Sequence, residues 1–237
     1  MDKKNKLILL ILVTITFLVV GVCIYSVKNN KEIETDAIKF LNEYSEFNGQ
    51  VNEVNGKNYV NVTISDKNTV KYIKEDKAIE LLEKGTGVIY FGFSTCPWCR
   101  SLVSTLTEVA QEKNETIYYL DILNIRTTFE LTEGKLSKLK EGTKGYYKIL
   151  ELLDEHLEEF YLTDDANNKF DTGEKRLYAP TMVAFNKGKI TDIHVGTVES
   201  QKSGYDSLNE TQIIELENRI EKLIESKNLE ICTNEKC

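Results

Sequence analysis

The stretch Cys96-Pro97-Trp98-Cys99 constrains this chain more than any other, because it joins a strand to a helix and fixes how that helix begins. Gly87-Val88-Ile89-Tyr90-Phe91-Gly92-Phe93 has the pattern of a buried strand leading in, and Leu102, Val103, Leu106, Val109 and Ala110 mark one face of a helix leading out. With the helix starting at the motif, Cys96 takes the N-cap position and Pro97 the first helical position. Proline is harmless there, since its missing N–H would have been unpaired and its fixed φ already suits a helix. The Cys96 sulfur then stands where a capping oxygen normally would, facing the free N–H groups of Trp98 and Cys99 and the positive end of the helix dipole. Both effects favour a thiolate, and thiols in such motifs have pKa values of about 3.5–7. Cys96 is therefore the predicted attacking sulfur, and Cys99, one turn further on, the thiol that closes onto it to resolve a mixed disulfide. Half a zinc site is the competing use of two such cysteines. It needs two more ligands, and His156 and His194 are isolated while Cys232 and Cys237 lie on a distant tail. No metal and no cofactor are expected.

The chain has two prolines, and the second lies in Tyr178-Ala179-Pro180-Thr181-Met182-Val183-Ala184-Phe185. Thr181 to Phe185 reads as a strand, Asn186-Lys187-Gly188-Lys189 as a turn, and Ile190 to Val195 as the returning strand. In this order of strand, Cys-x-x-Cys helix, strand, proline, hairpin and closing helix, the sequence resembles the thioredoxin superfamily over residues 86–121 and 177–226. The resemblance implies an α/β fold of three layers around a central mixed sheet, with Pro180 cis and facing the cysteine pair. It further implies that Ala179 offers its backbone to an extended substrate, with Pro97 and Trp98 beside it. Tyr90 stands where thioredoxin carries a buried aspartate, Thr95 replaces a tryptophan, and Pro97-Trp98 replaces Gly-Pro. The inner dipeptide looks more like that of glutaredoxins, but Val195-Gly196-Thr197 supplies only one of their paired glycines. Phe91 to Arg100 and Lys175 to Pro180, with the long stretch between them, also resemble the bacteriocin transport accessory group of thioredoxin-like proteins.

Leu7 to Tyr25 is a 19-residue run without a charge, close to the roughly 20 residues that cross a bilayer as a helix. Lys3, Lys4 and Lys6 precede it and only Lys28 and Lys31 follow closely, which places the N-terminus in the cytoplasm and the rest outside. The run exceeds a signal-peptide core, and Cys23 follows Val22 where a lipobox wants a small residue, so an uncleaved single-pass anchor is the expectation. Removing residues 1–30 takes away four lysines and one aspartate, leaving 26 basic against 37 acidic side chains and a net charge of −11. Such a surface argues against nucleic acid as a partner.

The predicted organisation is a cytoplasmic N-terminus (1–6), an anchor (7–25), a linker (26–33), a thioredoxin-like domain (34–226) and a cysteine-bearing tail (227–237). Within the domain, a helix over Asp36 to Phe47, a half-buried strand over Tyr59 to Ile64 and a helix through Ala78, Ile79, Leu81 and Leu82 precede the motif. A helical insertion is expected over about 122–177, because Tyr146, Leu150, Leu153, Leu157 and Phe160 step by 4, 3, 4 and 3. Asp164 to Lys169 reads as a turn rather than a calcium loop, and Arg100 as a solvated charge near the thiolate. Cys232 and Cys237 form either a structural disulfide or a secondary redox pair. These features together predict a membrane-tethered, extracytoplasmic thiol-disulfide oxidoreductase acting on cysteine-containing exported proteins or peptides, with a membrane redox partner. A non-catalytic accessory subunit of a peptide export system is the reading from a different class.

Overall fold

The computed structural model describes residues 34–228, and before them only Asp2, Lys4, Ile15, Thr16 and Val20. The anchor expected over 7–25 and the Cys232/Cys237 tail lie outside the described residues, apart from those isolated positions. Among the described residues no helix is long and apolar enough to cross a membrane.

In chain order the elements are α1 (Asp36–Ser45), β1 (Val70–Tyr72), α2 (Glu75–Lys84), β2 (Gly87–Gly92), α3 (Pro97–Glu112), β3 (Ile117–Asp121), β4 (Thr128–Thr132), β5 (Lys135–Lys140), α4 (Lys144–Leu152), β6 (Glu158–Thr163), β7 (Lys169–Arg176), β8 (Thr181–Asn186), β9 (Lys189–Val195) and α5 (Glu210–Ser226). Five strands form the central mixed sheet in the order β1-β3-β2-β8-β9. β1, β3 and β2 run parallel, and β8 and β9 antiparallel to their neighbours. This mixed sheet with its helices fits a thioredoxin-like fold in general. The chain moves one way across the sheet from β1 to β2 and back from β2 to β3. Right-handed crossovers therefore put α2 and α3 on opposite faces. The two later helices complete the pairs, α4 against α2 and α5 against α3. Covered on both faces, β2 is buried at all six positions, which is why its sequence is a continuous apolar run rather than an alternation.

The β8–β9 hairpin turns through Lys187 and Gly188, both at positive φ (50° and 76°), the conformation that lets a two-residue loop follow strand twist. Gly188 also donates its N–H to the Gly85 carbonyl at 2.9 Å, and a Cβ on it would drive into the Glu83 carbonyl. Gly188→Ala is therefore expected to lose about 2 kcal/mol, a fall of about 4–8 °C in the thermal midpoint measured by calorimetry.

Two expected elements differ. The segment 122–177 is not a helical insertion: two antiparallel hairpins, β4–β5 and β6–β7, flank one nine-residue helix. α4 stops at Leu152, a short 3₁₀ turn follows at Asp154–His156, and Phe160 belongs to β6. The 4-3-4-3 spacing thus ran across an element boundary, where Phe160-Tyr161-Leu162-Thr163, rich in strand-forming residues, pairs with β7 instead of extending the helix. Tyr59 to Ile64 is not a strand either. Val62 and Ile64 are buried and Asn61 and Thr63 exposed, as alternation requires. Beyond the Tyr59 N–H, which bonds the Gln50 carbonyl, the partners are side chains: Asn48 bonds both the N–H and the carbonyl of Val62, and Ser104 accepts from the Thr63 N–H. The segment is extended and half-buried, but tied to α3 by side chains rather than to a ladder. Asp164 to Lys169 is a turn, with Asp164 accepting from the backbone N–H groups of Ala166 and Asn168.

Candidate active site

α3 begins as its sequence dictates. Cys96 is the N-cap in extended conformation (φ −77°, ψ 118°), Pro97 follows as the first helical residue, and the Arg100 N–H bonds back to the Cys96 carbonyl at 3.1 Å. The Cys96 sulfur accepts the Cys99 N–H at 3.3 Å. On its other side the Cys96 thiol donates to the Ala179 carbonyl at 3.3 Å, and the Ala179–Pro180 bond that leads into β8 is cis. Pro180 is fixed by its own carbonyl, which accepts the Gly196 N–H at 2.9 Å, and the corner before it by Thr181 Oγ1, which donates to the Tyr178 carbonyl at 2.8 Å. Two segments 83 residues apart in sequence thus meet at one sulfur.

The two thiols sit in different surroundings. Cys96 is 5% exposed and Cys99 fully buried. The Cys96 thiol is held below its ordinary pKa, first by the hydrogen bond from the Cys99 thiol, then by the Cys99 and Trp98 N–H groups and the charge of Arg126, against the opposing effect of burial. Burial raises Cys99 well above the ordinary range, and its hydrogen bond to Cys96 and the charge on that sulfur raise it further. The pair therefore loses its first proton from Cys96 and holds the second.

Cys96, Cys99, Pro97, Trp98, Ala179 and Pro180 are brought together around this sulfur. Trp98 is half-buried against the core rather than standing free. Its backbone is backed by Gly204, where a Cβ would press on the Trp98 nitrogen and on Pro97. Gln201 holds that loop by donating to Ser101 Oγ and to the Ser203 and Asp206 carbonyls. The Ala179 carbonyl is occupied by the Cys96 thiol, so a substrate sulfur that bonds Cys96 would release it. Arg100 is not a solvated charge beside the thiolate: it is 1% exposed and bonded to carbonyls away from the sulfurs. His156 is exposed on its 3₁₀ turn, and His194 is half-buried on β9 with its pKa pushed down to about 4 by desolvation, so it stays neutral.

Two contributors to the site were not singled out from the sequence as active. Arg126, just beyond β3, lays its guanidinium 4.7 Å from the centre of the Phe93 ring, and its charge bears on both Cys96 and Cys99. It sits past the C-terminal end of a parallel strand adjoining β2, where ligands of such sheets gather. A signal for it exists in composition. The chain has four arginines among 30 basic side chains, and none of the four is exposed, as expected where guanidinium geometry, not charge alone, is being used. The second is Tyr90, whose hydroxyl lies beside the Cys99 thiol. In comparisons with known proteins, no family model matches this chain and no curated protein matches it.

Proposed function

We propose that this chain is a thiol-disulfide oxidoreductase of thioredoxin-like fold, tethered by residues 7–25 with its N-terminus cytoplasmic, that exchanges disulfides with exported proteins or peptides outside the cytoplasm. The observation that carries the reading is the asymmetry of the pair: one sulfur capped by helix N–H groups and facing a cation, the other buried one turn behind it. Supporting it are the strand order β1-β3-β2-β8-β9, the motif at the C-terminal end of β2, and the Ala179–Pro180 corner at the same sulfur. The uncharged run preceded by three lysines supports the placement.

In this reading the Cys96 thiolate attacks one sulfur of a substrate disulfide, forming a mixed disulfide and expelling the other sulfur as a thiolate. Cys99 then attacks Cys96, the second substrate thiol leaves, and the protein keeps the Cys96–Cys99 disulfide. Oxidation of a dithiol substrate is the same sequence in reverse.

The test is the pH dependence of Cys96 alkylation by iodoacetamide in the reduced full chain, with Cys23, Cys232 and Cys237 replaced by serine. Because the thiolate alone reacts, a lowered pKa sustains the rate as pH falls through about 8.5, the ordinary thiol value. The inflection is expected below that value in the parent and displaced upward in Arg126→Gln. An inflection at the ordinary value in both would remove the reading.

A further inference from the structure

Tyr90 and Gly92 project to the same face of β2, two residues apart. A Cβ on Gly92 would overlap the Tyr90 hydroxyl, so the absence of a side chain there is what lets that hydroxyl lie over the strand. There it is buried, as is the Cys99 thiol, and the two groups act on each other's ionisation. From Tyr90 the polar groups continue. Tyr44 Oη lies 2.9 Å from Tyr90 Oη, and Tyr44 and Tyr119 are polar neighbours with ring centroids 6.2 Å apart. Tyr119 donates to Glu43 Oε1 at 3.0 Å, and Tyr72 to Glu43 Oε2 at 2.6 Å. Tyr44, Tyr90 and Tyr119 are fully buried, packed around Phe40 with centroid distances of 4.6, 6.5 and 5.0 Å, while Glu43 is half-exposed at the edge of α1. A line of hydroxyls thus joins the deepest sulfur of the pair to a carboxylate that reaches solvent.

Resolution of a mixed disulfide needs a route for one proton. Cys99 must shed a proton as its sulfur bonds Cys96, and it is wholly buried. We propose that Tyr90 takes the Cys99 proton while handing its own to Tyr44, and that Tyr44 and Tyr119 pass a proton on to the Glu43 carboxylate. Each hydroxyl gains one proton as it gives one up, so no tyrosinate forms. This agrees with the burial that pushes all three tyrosines far above their ordinary range. The Cys99–Cys96 bond forms, the bond from Cys96 to the substrate sulfur breaks, the substrate leaves as a thiolate, and Glu43 returns the proton to water. The titratable and charged groups that face Cys99 are Cys96 on its own helix, Tyr90 on β2, Tyr44 on α1 and Arg126 beyond β3; Glu43 and Asp121 face the far end of the line. This inference rests on the exchange reading above, and makes Tyr90 a catalytic residue and Tyr44, Tyr119 and Glu43 its positioning and relay partners.

The experiment uses the reduced full chain, again with Cys23, Cys232 and Cys237 as serine, mixed with the chromogenic disulfide dithiobis(nitrobenzoate). The first nitrothiobenzoate released reports Cys96 attack and the second reports resolution by Cys99. Tyr90→Phe is expected to leave the first release within about two-fold and to slow the second by about 10- to 100-fold, the worth of a hydrogen bond to a charged group. Without the relay, Cys99 must lose its proton to solvent base before attacking, so the second release in Tyr90→Phe should climb about tenfold per pH unit while the parent's climbs less. Glu43→Gln should slow the second release alone, and add nothing in a Tyr90→Phe background. The first release is the internal control for folding, and Tyr44→Phe, which removes one hydroxyl further along, should slow the second release as well. A second release that Tyr90→Phe leaves unchanged, or a Glu43→Gln effect that adds fully to it, would overturn the relay. A parent with no fast first release would instead remove the exchange reading, and the relay with it.

Discussion

Replacing Arg100 with alanine is expected to destabilise the folded domain by about 3–5 kcal/mol, the range for stripping a buried charged group from its partners. The side chain is 1% exposed and reaches four acceptors: the Val60 carbonyl at 2.9 Å, the Tyr44 carbonyl at 2.6 Å, the Ser94 carbonyl at 3.3 Å and Asn48 Oδ1 at 2.8 Å. These belong to the end of α1, the extended segment before β1, and the loop that delivers Cys96. One guanidinium on α3 therefore fastens three stretches that no strand ladder connects. All four acceptors are neutral, so the charge is stabilised by carbonyl dipoles and by the Phe47 and Tyr59 rings at 5.9 and 5.4 Å rather than by a counter-ion. Alanine would take this donor from the Tyr44, Val60 and Ser94 carbonyls, at about 1–3 kcal/mol each where water cannot enter, while Asn48 Oδ1 keeps the Val62 N–H. Arg100→Lys is expected to recover little, since an ammonium cannot span the fan of acceptors that a planar guanidinium meets. Urea unfolding of both variants measures this; a loss below about 1 kcal/mol in Arg100→Ala would mean that water replaces the side chain freely.

The same residue shows where sequence reasoning reached and where it stopped. Everything local to the motif was legible, because an N-cap, a proline at the first helical position and a two-residue turn at Lys187-Gly188 are determined by neighbours in the chain. The position of Arg100 next to Cys99 suggested proximity to the thiolate, but a helix turns 100° per residue, and that rotation carries the guanidinium away from the sulfurs and under α1. Residues 122–177 misled for a different reason. Short apolar runs serve helix and strand alike, and the choice of hairpin over helix at Phe160 was made by pairing with β7, a partner ten residues further on. Tyr59 to Ile64 has strand alternation but lies where Asn48 and Ser104 supply its hydrogen bonds, and no pattern within the segment encodes that. Tyr90 was legible as a substitution within a resemblance, yet its partner Tyr44 lies 46 positions earlier and meets it only through the fold. Arg126 is the same case: its effect on Cys96 depends on β3 lying beside β2, a fact of topology.

Cys99→Ser is expected to accumulate covalent mixed disulfides with a disulfide-bonded peptide, while Cys96→Ser forms none. Each should lower turnover by a thousand-fold or more, roughly the scale of losing one member of a catalytic unit. The asymmetry follows from burial and from the helix start. In Cys99→Ser the Cys96 sulfur keeps the N–H at position 99, the Trp98 N–H and the Arg126 charge, and the new hydroxyl can donate where the Cys99 thiol did, so attack persists. What is lost is the thiol held one turn away in place of a free thiol from solution, an advantage that reaches effective molarities of about 10⁵ M or more in well-oriented pairs. The mixed disulfide then waits for an external thiol, and appears on a non-reducing gel as a band that dithiothreitol removes. In Cys96→Ser the remaining sulfur is wholly buried and held protonated by its surroundings, so it neither meets a substrate nor ionises to attack one. Equal trapping by the two variants would show that Cys99 is reachable from outside, and trapping by neither would leave a folded scaffold whose paired cysteines do no exchange.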